Sequence, residues 1–411
     1  MMMSNRFAPL SHALQRKVAT VSPVILVRRH STRPETVAPV NGSSISHADT
    51  PTVPSQSIDL AVNLQDLRPG DTLEIPYELT VTDSFADLWH SAFFSNDRLQ
   101  TSTPFSRKLG FQDRLLPFGF LAFLTSGMSH AEASKIQVGF GRIEYYWPGF
   151  AGDTFTKRFQ VQSVRNTSDQ KHSIISFQCD LINQRGRLCM RADKRMLFET
   201  QLVPSVKTER KEEEHLLRNH ILSKATLLEK EPSQSLVHLE PGLLIQHSHA
   251  RCLTSSQMQQ LASLARLTHP RHYTGSSDEL YVPGGLILGQ VQSASARELH
   301  EILHESVNGI YFNQYVHPDI TVVGAMSYVQ SVSELPGNLE LVQLRTLGID
   351  MQGKALPDEV PTSMLQGPPM MPKDLEKYCD EYVPELSRRI VAQMDRQIIR
   401  QAKTQNQVFL L

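Results

Sequence analysis

Cysteine is scarce. The four in this 411-residue chain, Cys179, Cys189, Cys252 and Cys379, form no Cys-x-x-Cys pair and no zinc-type spacing. A disulfide framework and a metal cluster are therefore both unexpected, and buried free thiols are the expectation. Long apolar runs are absent too. The longest, Leu115 to Leu124, contains Pro117 and Gly119 and falls well short of the roughly 20 residues a spanning helix needs, so no membrane insertion is expected. Charge of either sign is not in excess: 41 Lys and Arg against 42 Asp and Glu give a formal net charge of −1. No bulk attraction to DNA or to an anionic surface follows. No dinucleotide-binding, phosphate-loop, zinc-protease or serine-hydrolase string occurs, and "RPGDT" and "FAGDT" read as turns, so no cofactor and no metal is expected.

Acids are missing from one place in particular. None precedes Glu35, whereas Arg6, Arg16, Lys17, Arg28, Arg29 and Arg33 stand among serines, threonines and alanines. That is the composition of a mitochondrial transit peptide over residues 1–34, and it predicts a matrix location. A basic tail without a targeting role is the other reading. Residues 35–57, rich in Pro, Ser and Thr, read as a disordered linker.

What is present is a repeated order of signals. In residues 58–204 a lead-in strand within "GDTLEIPYELTVTD" precedes the loop "SNDRLQTSTPFSRKLGF". An apolar segment from Leu115 to Met128 follows, long enough for a central helix. Aromatic and β-branched residues then mark strands in "KIQVGFGRIEYYWPGF", "FAGDTFTKRFQVQSVRN" and a pair joined at "NQRGR". Residues 241–357 repeat the order. A helix with Leu299, Ile302 and Leu303 on one side is followed by strands in "IYFNQYVHPDITVVGAMSYVQSV" and a strand pair in "NLELVQLRTLGIDMQGKAL". Residues 205–240 read as a charged, solvated helical linker. Residues 370–405 read as a C-terminal helix, interrupted at Pro384, whose face of Leu386, Ile390, Val391, Met394, Ile398 and Ile399 would dock on the protein or on a partner.

These strings resemble the MaoC-like hydratase/dehydratase family, and the first half is similar to mesaconyl-CoA-type hydratases. The resemblance rests on "GDTLEIPYELTVTD", "KLGFQDRLLPFGFLAFLTSG", "VGFGRIEYYWPGFAGDTFTKRFQVQSV" and "CDLINQRGRLCMRADKRMLF". It implies an α+β fold of two hot-dog units, each a central helix wrapped by an antiparallel sheet, packed as a pseudo-dimer. It also implies hydration of an enoyl thioester or dehydration of the 3-hydroxy form. An Asp and a His of an Asp-x-Asn-Pro-(Ile/Leu)-His motif would handle the protons. A backbone N–H at the central helix start would polarise the thioester carbonyl.

This chain departs from that pattern. With Gly110-Phe111 as anchor, the Asp position falls on Ser95, the Asn position on Asp97 and the His position on Gln100, so the first loop lacks a pair able to move protons. In the second half "LTHPRH" places His272 at the His position and Leu267 at the Asp position. A second alignment, to the signature of acyl-carrier-protein dehydratases, keeps His272 and again loses the acid. Gly119, and Gly284 with Gly285, take the helix-start positions that the family uses to bind the thioester.

Three functions follow from the resemblance. One is a non-catalytic subunit that binds a coenzyme A or acyl-carrier-protein thioester, or serves in a mitochondrial assembly through the C-terminal helix, the mitoribosome being one example. Another is an active hydratase using His272 with an acid such as Asp278 or Glu279. The last is a thioesterase, which needs a carboxylate on a central helix. His272 is expected to be structural, its surroundings filled by Leu267 and other apolar side chains.

Overall fold

The computed structural model describes residues 67–75, 77–127, 134–205 and 212–403. The expected transit peptide (1–34) and linker (35–57) lie outside them. The first unit opens with β1 (Thr72–Glu74), β2 (Leu79–Thr80), α1 (Asp83–Ala92), α2 (Arg98–Thr101), α3 (Thr103–Lys108) and α4 (Phe118–Leu124). Four long strands follow, β3 (Ser134–Tyr145), β4 (Thr154–Asn166), β5 (Ser173–Asn183) and β6 (Leu188–Phe198). Next come α5 (Leu216–Ser223) and α6 (Ala225–Leu228). The second unit holds β7 (Leu244–Gln246), β8 (Arg251–Cys252), α7 (Ser255–Leu264), α8 (Gly284–Ser295), β9 (Ile302–Phe312), β10 (Val322–Leu335) and β11 (Leu339–Asp350). It closes through α9 (Thr362–Leu365), α10 (Pro372–Tyr382) and β12 (Ile390–Gln401).

One 12-stranded antiparallel sheet runs β1-β4-β5-β6-β3-β9-β12-β11-β10-β7, with β2 paired to β4 and β8 to β10 off this path. The two halves of that path mirror each other around the β3–β9 pair, which confirms two hot-dog units sharing a continuous sheet. At the junction Phe140 faces Ile310 and Ile143 faces Val307. Gly139 is required there, because a Cβ would run into the carbonyl oxygen of Ile310.

The central helices α4 and α8 pack together and against the sheet. Every residue of α4, "FGFLAFL", is buried, so it has no polar face. Each large side chain contributes roughly 1.5–3 kcal/mol of burial. α8 is buried nearly all round, and a Cβ on its Gly285 would stand 2.7 Å from Phe123 Cα of α4. Three of the cysteines are buried thiols and Cys252 is half-buried, all of them free.

The structure corrects the sequence reading at four places. The expected C-terminal helix exists only as α10; residues 390–401 are strand β12, paired with β11 on one side and β9 on the other. Ile390, Val391, Ile398 and Ile399 suit either period, and in a strand buried on both faces there is no alternation to tell the two apart. The second unit consequently runs past residue 357, since β12 is its sixth strand. "NLELVQLRTLGID" is one strand, not two, and the α8 helix stops at Ser295, leaving Ile302 and Leu303 in β9. The 205–240 segment is not merely solvated: Leu217, Ile221 and Leu228 join the core, and the Leu217 N–H bonds the Tyr146 carbonyl at 2.7 Å.

Candidate functional site

Two loops carry the motif positions, and each docks on the first residue of the other unit's junction strand. The first follows α1, whose inward face is Phe85, Ala86, Trp89 and Ala92. The Trp89 ring stacks on Phe123 (centroids 5.8 Å) and meets Phe120 edge-on (5.2 Å). Beyond it Ser95 Oγ donates to Gln100 Oε1 at 2.9 Å. Asp97, only 7% exposed, turns away from capping α2. Its Oδ1 instead accepts the Ile302 N–H of β9 at 2.8 Å, while the Gln100 amide donates to Oδ2 at 3.3 Å. Burial raises its pKa to about 7, opposed by the Ile302 bond and reinforced by Glu301 and Glu305. Arg98 binds Glu301 through Nε at 3.0 and 2.9 Å. Gly119 at the start of α4 is covered: a Cβ there would strike the Gln292 amide and lie 3.3 Å from Trp89.

The second loop leaves α7, which a capping box of Thr254 and Gln257 begins. His269 donates from Nε2 to the Ser134 carbonyl of β3 at 2.9 Å, and its Nδ1 accepts the Arg271 N–H at 3.2 Å. Pro270–His272 form a single 3-10 turn. His272 Nδ1 lies 2.8 Å from the Tyr281 carbonyl. A carbonyl can only accept, so the proton sits on Nδ1, and Nε2 carries the lone pair with no hydrogen-bond partner among the described residues. Burial pushes the imidazole down to about 4; the Tyr281 bond opposes this, and His269 and Lys194 add to it.

No carboxylate among the described residues serves His272. Glu279 is engaged by the Ser276 N–H (2.9 Å) and hydroxyl (3.0 Å). The exposed Asp278 is held low chiefly by its bond with Ser276. Neither central helix bears an acid. Groups of three or more potential metal-ligating side chains are absent among the described residues.

His272 is not packed solid, however, as the sequence led us to expect. It lines a cavity of about 90 Å³ together with Leu267, Gly284, Ile287, Phe312, Gln137 and Lys194. Gly284 thus reaches the cavity, Gly285 faces α4, and Gly119 at the start of α4 is closed off by Gln292 and Trp89. Lys194 escaped the sequence reading, although parity could have found it. It shares the inward face of β6 with Met190, Ala192 and Met196, where a lysine has no ordinary reason to be.

A serine, histidine and glutamate elsewhere have triad distances. His247 Nδ1 lies 2.9 Å from Glu298 Oε2 and Nε2 lies 2.8 Å from Ser327 Oγ. Ser327 is 0% exposed and bonds Thr346 at 2.9 Å within the sheet, so no substrate carbonyl can reach it.

No protein-family model matches the chain, and no curated protein matches it either. Solved structures do. One from Chloroflexus aurantiacus, described as a MaoC domain protein dehydratase, is 17% identical with a TM-score of 0.63, covering 82% of this chain and 97% of that one. A conserved hypothetical protein of Mycobacterium tuberculosis, described as having a double hot-dog fold, is 14% identical with a TM-score of 0.57, covering 81% and 97%. A further MaoC-like dehydratase is 10% identical with a TM-score of 0.53, covering 82% and 100%.

Proposed function

We propose that this chain, which has the double hot-dog fold of MaoC-like dehydratases, binds an acyl thioester in the mitochondrial matrix without hydrating it. The observation that carries the reading is electrostatic. Neither motif loop sets an imidazole against a carboxylate, and proton transfer to and from the substrate needs both groups within hydrogen-bond reach. Ser95 and Gln100 do not titrate near neutrality, and His272 has a carbonyl where the acid would stand. The thioester would be that of coenzyme A or acyl carrier protein. The assembly role argued from a C-terminal helix loses its support, because that apolar face lies inside the sheet as β12.

The test is hydration of crotonyl-CoA and a longer enoyl thioester by folded, pure protein. The expected rate equals that of a heat-killed control. A second reading has one observation in its favour, the unshared Nε2 of His272 facing a cavity. Under it hydration would be measurable, and His272→Ala would lower the rate by about 10²–10⁴-fold; that result would overturn the first. The location rests on the acid-free basic N-terminus. Residues 1–40 fused to a reporter are expected to carry it into mitochondria, and a cytosolic reporter would refute the location.

A further inference from the structure

We infer that the cavity beside His272 is an anion site, in which Lys194 and Gln137 hold the carboxylate of a short acid or of a carboxyl-ended acyl chain. The inference deepens the binding role proposed above by naming what the cavity recognises. It starts from Lys194. This side chain is 4% exposed, lines the cavity, and makes no hydrogen bond or ion pair with any described residue. An ammonium held at a largely buried position without a partner is unfavourable, and its outlet here is the cavity. The nearby lysine differs: Lys157 donates its ammonium to the Thr125 and Gly127 carbonyls at the end of α4. Burial and a neighbouring lysine hold the Lys157 pKa down, and burial does the same to Lys194.

Gln137 supplies the second observation. Its Nε2 is buried without a partner, while its Oε1 accepts from Ser126 at 3.4 Å. Two unmet donors therefore line one cavity, and Lys135 and Arg271 stand in its wall with no Asp or Glu among the lining residues. Lys135 is paired outward with Glu199 at 2.8 Å. The start of α8 at Gly284 adds the positive end of a helix dipole.

Size and polarity narrow the class. A cavity of about 150 Å³ holds benzene, so about 90 Å³ suits roughly four heavy atoms, an acetate or the terminal CH2–COO⁻ of an acyl chain. Most of the remaining wall is apolar, with Leu267, Ile287, Phe312, Val316 and Met196 beside the polar Thr268 and Gln314, which suits a carboxylate on a carbon chain better than a phosphate.

The experiment compares succinyl-CoA with butyryl-CoA, and acetate with acetamide, by titration and thermal shift on the wild-type chain, Lys194→Met and Lys194→Gln. A charged hydrogen bond is worth about 1.5–3 kcal/mol, so succinyl-CoA is expected to bind the wild type at least about tenfold tighter than butyryl-CoA. Acetate should outbind acetamide if free acids enter. Both preferences should collapse to within about twofold in the two Lys194 variants. Those variants should melt no lower than the wild type, because they remove an uncompensated buried charge. Equal binding of succinyl-CoA and butyryl-CoA with no preference for acetate would overturn the site, as would a preference that survives both substitutions. The hydration assay can fail or succeed independently of these titrations.

Discussion

Ser95 Oγ and Gln100 Oε1 lie 2.9 Å apart, so the two positions that would hold an acid and a base are adjacent in space and joined by a hydrogen bond. Neither a serine hydroxyl nor a carboxamide passes protons to a substrate near neutral pH. Placing an acid and a base at these positions is not enough, because Gln292 and Trp89 cover Gly119 at the start of α4. The double variant Ser95→Asp, Gln100→His is expected to show no hydration of crotonyl-CoA above the heat-killed control. A measurable rate would mean that this loop opens to substrate.

Asp97 sits between those two positions and is raised to about 7 by burial. Between about 3.8 and about 7 the folded chain keeps a proton that the unfolded chain has lost, so this group's contribution to stability falls as pH rises through that window. Asp97→Asn imitates the neutral form and keeps an acceptor for the Ile302 N–H. It is expected to match or exceed the wild type in urea midpoint at about pH 8. Asp97→Ala strands that N–H and should cost about 1–3 kcal/mol.

His304 carries the opposite slope. It is 6% exposed, donates from Nε2 to the Tyr145 carbonyl at 3.1 Å, and is pushed by burial from 6.5 to about 4. Between those values the unfolded chain takes up a proton that the folded chain refuses, so stability falls as pH drops through the window. The loss amounts to about 3 kcal/mol at the acid end. Urea midpoints measured from about pH 7 down to about pH 4.5 should decline, and His304→Gln should flatten that decline.

The junction of the units is tested at Gly139. Gly139→Val forces a branched side chain against the Ile310 carbonyl of β9 and should cost at least the 1–3 kcal/mol typical of overpacking. An unchanged melting temperature would show that β3 and β9 do not meet as described.

Removing residues 387–411 deletes β12 and exposes the facing edges of β9 and β11. The truncated chain is expected in the insoluble fraction, with no cooperative melting transition in any soluble remainder. A soluble, cooperatively folding truncation would make β12 an accessory.

Local signals explain what could be read from the sequence. β3 to β6 announced themselves through aromatic and β-branched enrichment and the "NQRGR" turn, because they alternate or are bounded by turn residues. Lys194, inward on an otherwise apolar face, was legible by the same parity. β12 was not legible: a strand buried on both faces loses alternation, and its partners lie far back in the chain. The cover over Gly119 was beyond reach for a different reason, since Gln292 arrives from the opposite unit's helix. The cavity beside His272 likewise depends on side chains from both units, and no spacing within one loop records it.

Chain order carries a last consequence through β12. This strand fills the space between β9 and β11, yet it leaves the ribosome only after α9 and α10 have been made. At roughly 5–20 residues per second, the stretch from Asp350 to Ile390 takes several seconds. For that interval the nascent second unit presents two unpaired strand edges, while the first unit already holds all its strands. Such edges are templates for wrong pairing. The interval of synthesis between β11 and β12 is therefore where this chain is most exposed to aggregation and most dependent on being shielded.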